Sequence, residues 1–239
     1  MIIGNWKMQT TRDSAIELAE SIARQADQTE TPLGICPPMI WLDPVCQSVA
    51  GSRLWVGAQD CVGDPNGAHT GCVNVAMIQE AGAGFSVLGH SERRARFGET
   101  TEQLLPAIAA VLESGLFPVV CVGETLAERE RGEAQSTVAD QLAPLLTAGL
   151  DLSGVVVAYE PVWAIGTGLS ASADDIDAMH RGIRSVLGRE DSLVLYGGSV
   201  SPDSASEVFS SAEVSGALVG GASLNSESFA AIVAAWEQR

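Results

Sequence analysis

Apolar residues fall along this chain in two alternating patterns. Short runs rich in Val, Ile and Leu are apolar at nearly every position, as strands buried on both faces are. They lie near residues 2–5, 33–36, 54–58, 85–88, 117–122, 155–160, 193–196 and 217–219, and each closes on a polar or glycine-bearing turn. Between them, apolar residues recur three and four apart, the period of a helix with one buried face. Ala15, Ile16, Leu18, Ala19, Ile22 and Ala23 form one such stripe, after candidate caps at Thr10 and Thr11. Others run through 104–112, 138–146, 176–187 and 229–236, with Asp174 and Asp175 where acids favour a helix start. Strand–helix alternation repeated eight times predicts parallel strands joined by right-handed crossovers. No linker-like tract interrupts it, so the expectation is a single α/β domain over 1–239, a closed (β/α)8 TIM barrel of eight parallel strands with outer helices.

In such a barrel, side chains at the carboxyl ends of the strands converge on one mouth. Those positions hold Asn5 and Lys7 after strand 1, His90 after strand 4, Cys121 in strand 5 and Glu160 at the end of strand 6. Gly197-Gly198-Ser199 follow strand 7, and Gly220-Gly221-Ala222-Ser223 follow strand 8. Each glycine pair is expected to open a short helix-like segment, whose free backbone N–H groups bind phosphate. Pro161 stops strand 6, and Val162 to Gly168 combine stiff ends with a small glycine-bearing tip, as a hinged lid does. His90 stands at a helix N-terminus, where the dipole opposes a charged imidazole and leaves a neutral ring to donate a hydrogen bond. His180, in mid-helix without such company, reads as a surface residue. Together these groups fit proton transfer next to a carbonyl on a small phosphorylated substrate, with water kept out by the lid.

Composition narrows the picture. The formal net charge is −17, which disfavours nucleic acid and anionic membranes as partners. No run approaches a membrane span, and the first residues lack a signal-peptide pattern, so a cytoplasmic protein is expected. Lys7 is the one lysine beside twelve arginines, suggesting a position where a compact ammonium is needed. The cysteines (36, 46, 61, 72 and 121) are scattered, without zinc-type spacing, and read mostly as small buried residues.

Six motifs, in order, resemble those of the triosephosphate isomerase family across essentially the whole chain: Gly4-Asn5-Trp6-Lys7-Met8, Gly89-His90-Ser91-Glu92-Arg93-Arg94, Cys121-Val122-Gly123-Glu124, residues 159–168, Tyr196-Gly197-Gly198-Ser199-Val200 and Val219-Gly220-Gly221-Ala222-Ser223-Leu224. The resemblance implies interconversion of dihydroxyacetone phosphate and D-glyceraldehyde 3-phosphate through an enediol(ate), a step of glycolysis and gluconeogenesis, with no cofactor and no metal. It implies Glu160 as base, His90 as electrophile, and Lys7 and Asn5 on the substrate oxygens. Ser91, Glu92 and Cys121 become supporting residues. Gly166, Ser199, Gly220 and Gly221 offer amides to the phosphate, and Tyr196 and Ser199 latch the lid. It also implies a homodimer in which the loop 67–71 reaches the partner's active-site surroundings through Thr70. Three positions depart from the family pattern. Cys72 replaces an acid that pairs across the dimer with the first arginine of the His-Ser-Glu-Arg-Arg run, leaving Arg93 without that partner. Asn74 stands at a usual serine cap, and Leu169 at a usual lysine after the lid tip. Two other readings share these residues: a tetrulose-phosphate isomerase with a slightly larger cavity, and a catalytically silent barrel used as a binding module.

Overall fold

The computed structural model describes residues 1–165 and 171–239. Eight strands form a closed, all-parallel barrel in sequential order. They are β1 (Ile2–Asn5), β2 (Leu33–Cys36), β3 (Trp55–Ala58), β4 (Phe85–Leu88), β5 (Phe117–Val122), β6 (Val156–Tyr159), β7 (Val194–Tyr196) and β8 (Ala217–Val219). Closure is carried by β1, which pairs on both edges: Ile2 lies opposite Leu33 of β2 and opposite Ala217 of β8. The helices around the barrel are α1 (Arg12–Ala26), α2 (Leu42–Ser48), α3 (Val75–Glu80), α4 (Ser91–Phe97), α5 (Thr101–Glu113), α6 (Leu126–Glu130), α7 (Ala134–Thr147), α8 (Ala173–Leu187), α9 (Ala205–Ser210) and α10 (Ser226–Glu237). None of the described helices is long and apolar enough to cross a membrane.

Two apolar layers follow from the two-residue alternation of strands. Ile3, Cys36, Phe85, Val87, Val119, Cys121, Val156, Ala158, Leu195 and Leu218 pack together inside the barrel. The alternate residues, among them Ile2, Val120, Val157 and Val194, pack against the helices. Phe85 fills the amino-terminal end, and neighbouring strands make room for its ring: a Cβ on Gly57 would stand 2.4 Å from it. Outside, α8 turns Ile176, Met179, Ile183 and Leu187 onto the barrel at the predicted spacing.

Three local expectations are corrected. Thr11 alone caps α1, through its side chain on the Ser14 amide, while Thr10 has a left-handed backbone and lies outside the helix. His180 is fully buried rather than on the surface. It shares one helical stripe with Ile176 and Ile183, its ring meets Tyr159 edge-on at 5.9 Å, and Nδ1 lies 3.3 Å from the Glu213 carbonyl. Gly197-Gly198-Ser199 opens no helix, since α9 begins only at Ala205. The turn into α9 starts only after the two glycines, where the Ser201 carbonyl accepts from the Ser204 and Ala205 N–H groups at 3.2 and 2.9 Å. The second glycine turn does wind directly into a short 3-10 segment, Gly221–Leu224.

Candidate active site

A cavity of about 280 Å³ opens at the carboxyl end of the barrel. Its walls include Asn5, Lys7, His90, Glu160, Gly197, Gly198, Ser199, Gly220 and Gly221. Residues from β1, β4, β6, β7 and β8 and the turns after them therefore meet in one place.

Glu160 follows β6 directly. Its N–H continues the ladder onto the Val122 carbonyl at 2.7 Å, so the residue is held like a strand residue and then released by Pro161. The side chain is 2% exposed. One carboxylate oxygen accepts from the Ser91 N–H at 2.8 Å, and the other lies 3.0 Å from His90 Nε2. His90 Nδ1 accepts from the Glu92 N–H at 3.2 Å. With Nδ1 committed as an acceptor, a neutral ring carries its proton on Nε2, the nitrogen that faces Glu160 and the cavity.

Lys7 sits on the opposite wall with φ 51°, a left-handed conformation that non-glycine residues adopt at a cost of about 1–2 kcal/mol. Side chains hold it there: its N–H donates to Asn5 Oδ1 at 3.0 Å, and Gln59 Nε2 donates to its carbonyl at 2.8 Å. Its ammonium pairs with Glu92 at 2.5 Å. Both partners are solvent-accessible, so the pair is weak.

The two glycine turns differ. Gly198 must be glycine, because a Cβ would stand 2.3 Å from the Tyr196 hydroxyl. Ser199 borders the cavity, but its N–H and hydroxyl both donate to the Ala164 carbonyl, at 3.2 and 2.5 Å. Tyr196 Oη accepts from the Ala171 N–H at 3.3 Å. Tyr196 and Ser199 thus hold Ala164 and Ala171, the described residues near either side of 166–170. Gly166 and Leu169 lie outside the described residues.

The supporting residues are placed as follows. Ser91 faces the Glu160 carboxylate and Glu92 faces Lys7. Cys121 is fully buried, and burial, with Glu160 nearby, pushes its thiol well above the ordinary range, so it stays protonated. Its carbonyl accepts from Arg94, which also binds the Gly89 carbonyl and Thr101 and so ties α4 to the ends of β4 and β5. Glu124 closes the Cys121-Val122-Gly123-Glu124 motif. It accepts from Tyr159 Oη at 3.1 Å and Trp163 Nε1 at 2.8 Å, the residues on either side of Glu160 and Pro161. Arg129 stacks on Trp163 and pairs with Asp175 at 2.7 Å, joining the start of the lid segment to α8. Gln59 and Glu124 both follow strand ends closely, so the barrel-mouth rule, applied to every strand, points to them.

Arg93 is paired within its own chain, with Asp60 at 2.8 Å and Glu99 at 2.6 Å. Burial raises the Asp60 carboxyl to about 6, against the pull of Arg93. Asn74 caps α3 through the Met77 amide, and its own amide group holds the Asp64 carbonyl and Asn66, bracing the exposed loop that contains Thr70.

The triosephosphate isomerase family model matches residues 1–236. The triosephosphate isomerase of Ruegeria pomeroyi is 46% identical over 242 residues, covering 98% of this chain and 96% of that protein. That of Ralstonia nicotianae is 45% identical, covering 97% and 96%. That of Thermoanaerobacter pseudethanolicus is 40% identical, covering 98% of each. These matches span every strand of the barrel and every wall of the cavity, and the chain therefore belongs to the triosephosphate isomerase family, an enzyme family of aldose–ketose isomerases.

Proposed function

We propose that the chain interconverts dihydroxyacetone phosphate and D-glyceraldehyde 3-phosphate, with Glu160 as the base, His90 as the electrophile and Lys7 as the electrostatic stabiliser. The observation that carries this reading is the 3.0 Å approach of His90 Nε2 to Glu160 in a cavity that Lys7 and Asn5 also border. A carboxylate and a neutral N–H donor so placed can act on adjacent atoms of one small molecule. Glu160 leaves the Ser91 amide and takes the proton from the carbon beside the carbonyl. The electron pair moves into a carbon–carbon double bond, and charge collects on the carbonyl oxygen. His90 Nε2–H donates to that oxygen while the Lys7 ammonium offsets its charge. His90 then carries the proton of the neighbouring hydroxyl to that oxygen, and return of the first proton to the former carbonyl carbon completes the isomerisation, the old hydroxyl now being the carbonyl, with no net change of atoms or electrons. The amides of Gly220, Gly221, Gly166 and Ser199 receive the phosphate, Ser199 after its N–H turns away from Ala164. Closure of the lid keeps the enediolate from water, which would otherwise let it expel phosphate.

Turnover of purified protein on glyceraldehyde 3-phosphate and on a tetrose 4-phosphate, side by side, tests the substrate. The triose is expected to be preferred by at least about tenfold in kcat/KM, because the larger sugar must be fitted into the same closed cavity. Equal or inverted values would replace the triose reading with the tetrulose-phosphate one, and absence of turnover on both would leave a binding module.

The same reading extends to a homodimer. A groove of about 520 Å³ adjoins the cavity, bordered by Asn5, Lys7, Met8, Asp60, Cys72, Arg93 and Phe97. Met8 and Phe97 are largely exposed, as is the loop carrying Thr70. Exposed apolar side chains beside a projecting loop and a groove support association with a second copy. Thr70 then reaches the Asn5 region of the partner and holds the strained turn at Lys7 in place.

A further inference from the structure

A second cavity, of about 240 Å³, shares with the first only Glu160. Arg94, Cys121, Gly123 and Gln141 are among its other walls. There β5 has ended at Val122, and the next residue, Gly123, needs partners for its backbone groups. Gln141 of α7 supplies both. Its Oε1 accepts from the Gly123 N–H at 2.8 Å, and its Nε2 donates to the Gly123 carbonyl at 2.9 Å. One side-chain amide thus pairs with Gly123 as a neighbouring strand residue would. Gly123 in turn bears directly on the residue that carries the base: a Cβ there would stand 1.7 Å from the Glu160 carbonyl oxygen. Nothing compressible lies between the two peptides.

We infer that Gln141 is a positioning residue for proton transfer: by clamping both backbone groups of Gly123, it fixes the peptide of Glu160 and so the place from which the carboxylate reaches carbon. The inference rests on Glu160 being the base. Gln141 borders neither the phosphate turns nor Lys7, so its loss acts on the chemical step and spares substrate binding.

The test is steady-state kinetics of Gln141→Ala, Gln141→Glu and Glu160→Asp in the isomerase assay, from pH 9 down to pH 5, with active sites titrated. Gln141→Ala is expected to lower kcat about tenfold to a hundredfold with KM within about twofold, the cost of a loosely placed reacting group. Gln141→Glu supplies a more specific signature. Ionised, the introduced carboxyl can only accept; protonated, it has one acceptor and one donor and restores the clamp. Its kcat relative to the unmodified enzyme therefore climbs as pH falls through the carboxyl's titration. A merely structural role lowers the melting temperature or the active fraction, but leaves kcat per active site unchanged and that ratio flat with pH. A flat ratio, or a Gln141→Ala kcat within twofold of the unmodified enzyme, overturns the inference. If Gln141→Ala fails to fold, the pH dependence of Gln141→Glu decides alone. Glu160→Asp separates the two layers: if it keeps normal turnover the base assignment fails, whereas a crippled Glu160→Asp beside a normal Gln141→Ala sinks only the positioning role.

Discussion

Single residues at this site are set by what surrounds them. Lys7 stands in a backbone conformation that costs energy, and Asn5 and Gln59 hold it there. Strain maintained by specific side chains is characteristic of positions where a functional group must point one way. The ammonium also meets no competing lysine, since the chain has no other. Lys7→Ala is expected to cut kcat/KM by about 10²–10³ at unchanged melting temperature, the scale for loss of one preorganised charge at a developing oxyanion. Activity assays with a thermal melt in the same buffer check this. The ion pair with Glu92 is solvent-exposed, so its loss costs the fold little; a melt that falls together with activity would instead make Lys7 a structural residue.

At the scale of elements, the sequence made the strands plain and the connections less so. Unbroken apolar runs mark strands buried on both faces, and all eight observed strands begin and end within one residue of their runs. Short helices such as α2, α3 and α9 span less than two full heptads and leave too little periodicity to read. Glu160 and His90 were legible because the mouth of a barrel is a geometric consequence of its topology. Gln141 and Arg94 act on backbone groups of distant segments, a role that no local spacing records. His180 was misread for a related reason, because a helix face can be assigned only when its neighbours are known. Its burial in α8 has a measurable consequence. Removal from water lowers its pKa from 6.5 to about 3, against the opposing pull of the Glu213 carbonyl. A folded-state value below the unfolded one means that stability is full above about pH 6.5 and is lost as pH falls toward 3. The whole loss is on the order of 5 kcal/mol. Asp60, raised by burial to about 6, acts with the opposite sign between pH 3.8 and 6, but with a smaller shift. Between denaturant unfolding at pH 7 and at pH 5, the unmodified chain is expected to lose about 2 kcal/mol more than His180→Gln, which has no imidazole to charge. Parallel losses in the two proteins would assign the acid sensitivity to other groups.

At the scale of the whole molecule, charge and shape pull against each other. Each chain carries −17, yet the proposed dimer brings two such bodies together. The attractive part is local and apolar, from Met8, Phe97 and the loop around Thr70, and salt changes it little. Of the cations that line the groove, Arg93 is bound by Asp60 and Glu99 of its own chain and Lys7 by Glu92. With Arg93 so engaged and Cys72 at the facing loop, the proposed dimer is expected to draw little affinity from a charge pair through Arg93. The repulsive part is long-ranged: the Debye length is about 30 Å at 0.01 M salt and about 8 Å at 0.15 M. At low salt the full charge of each body opposes approach, and at higher salt only the facing surfaces do. The dimer dissociation constant is therefore expected to fall as salt is raised over this range, as measured by sedimentation equilibrium at several protein concentrations. Specific activity in dilute solution should rise in step with the dimer fraction, because docking of Thr70 near Asn5 steadies the strained Lys7 turn. Dissociation promoted by salt would mean that ion pairs across the interface outweigh the net repulsion. Full activity from a monomer would show that Asn5 and Gln59 hold Lys7 without help.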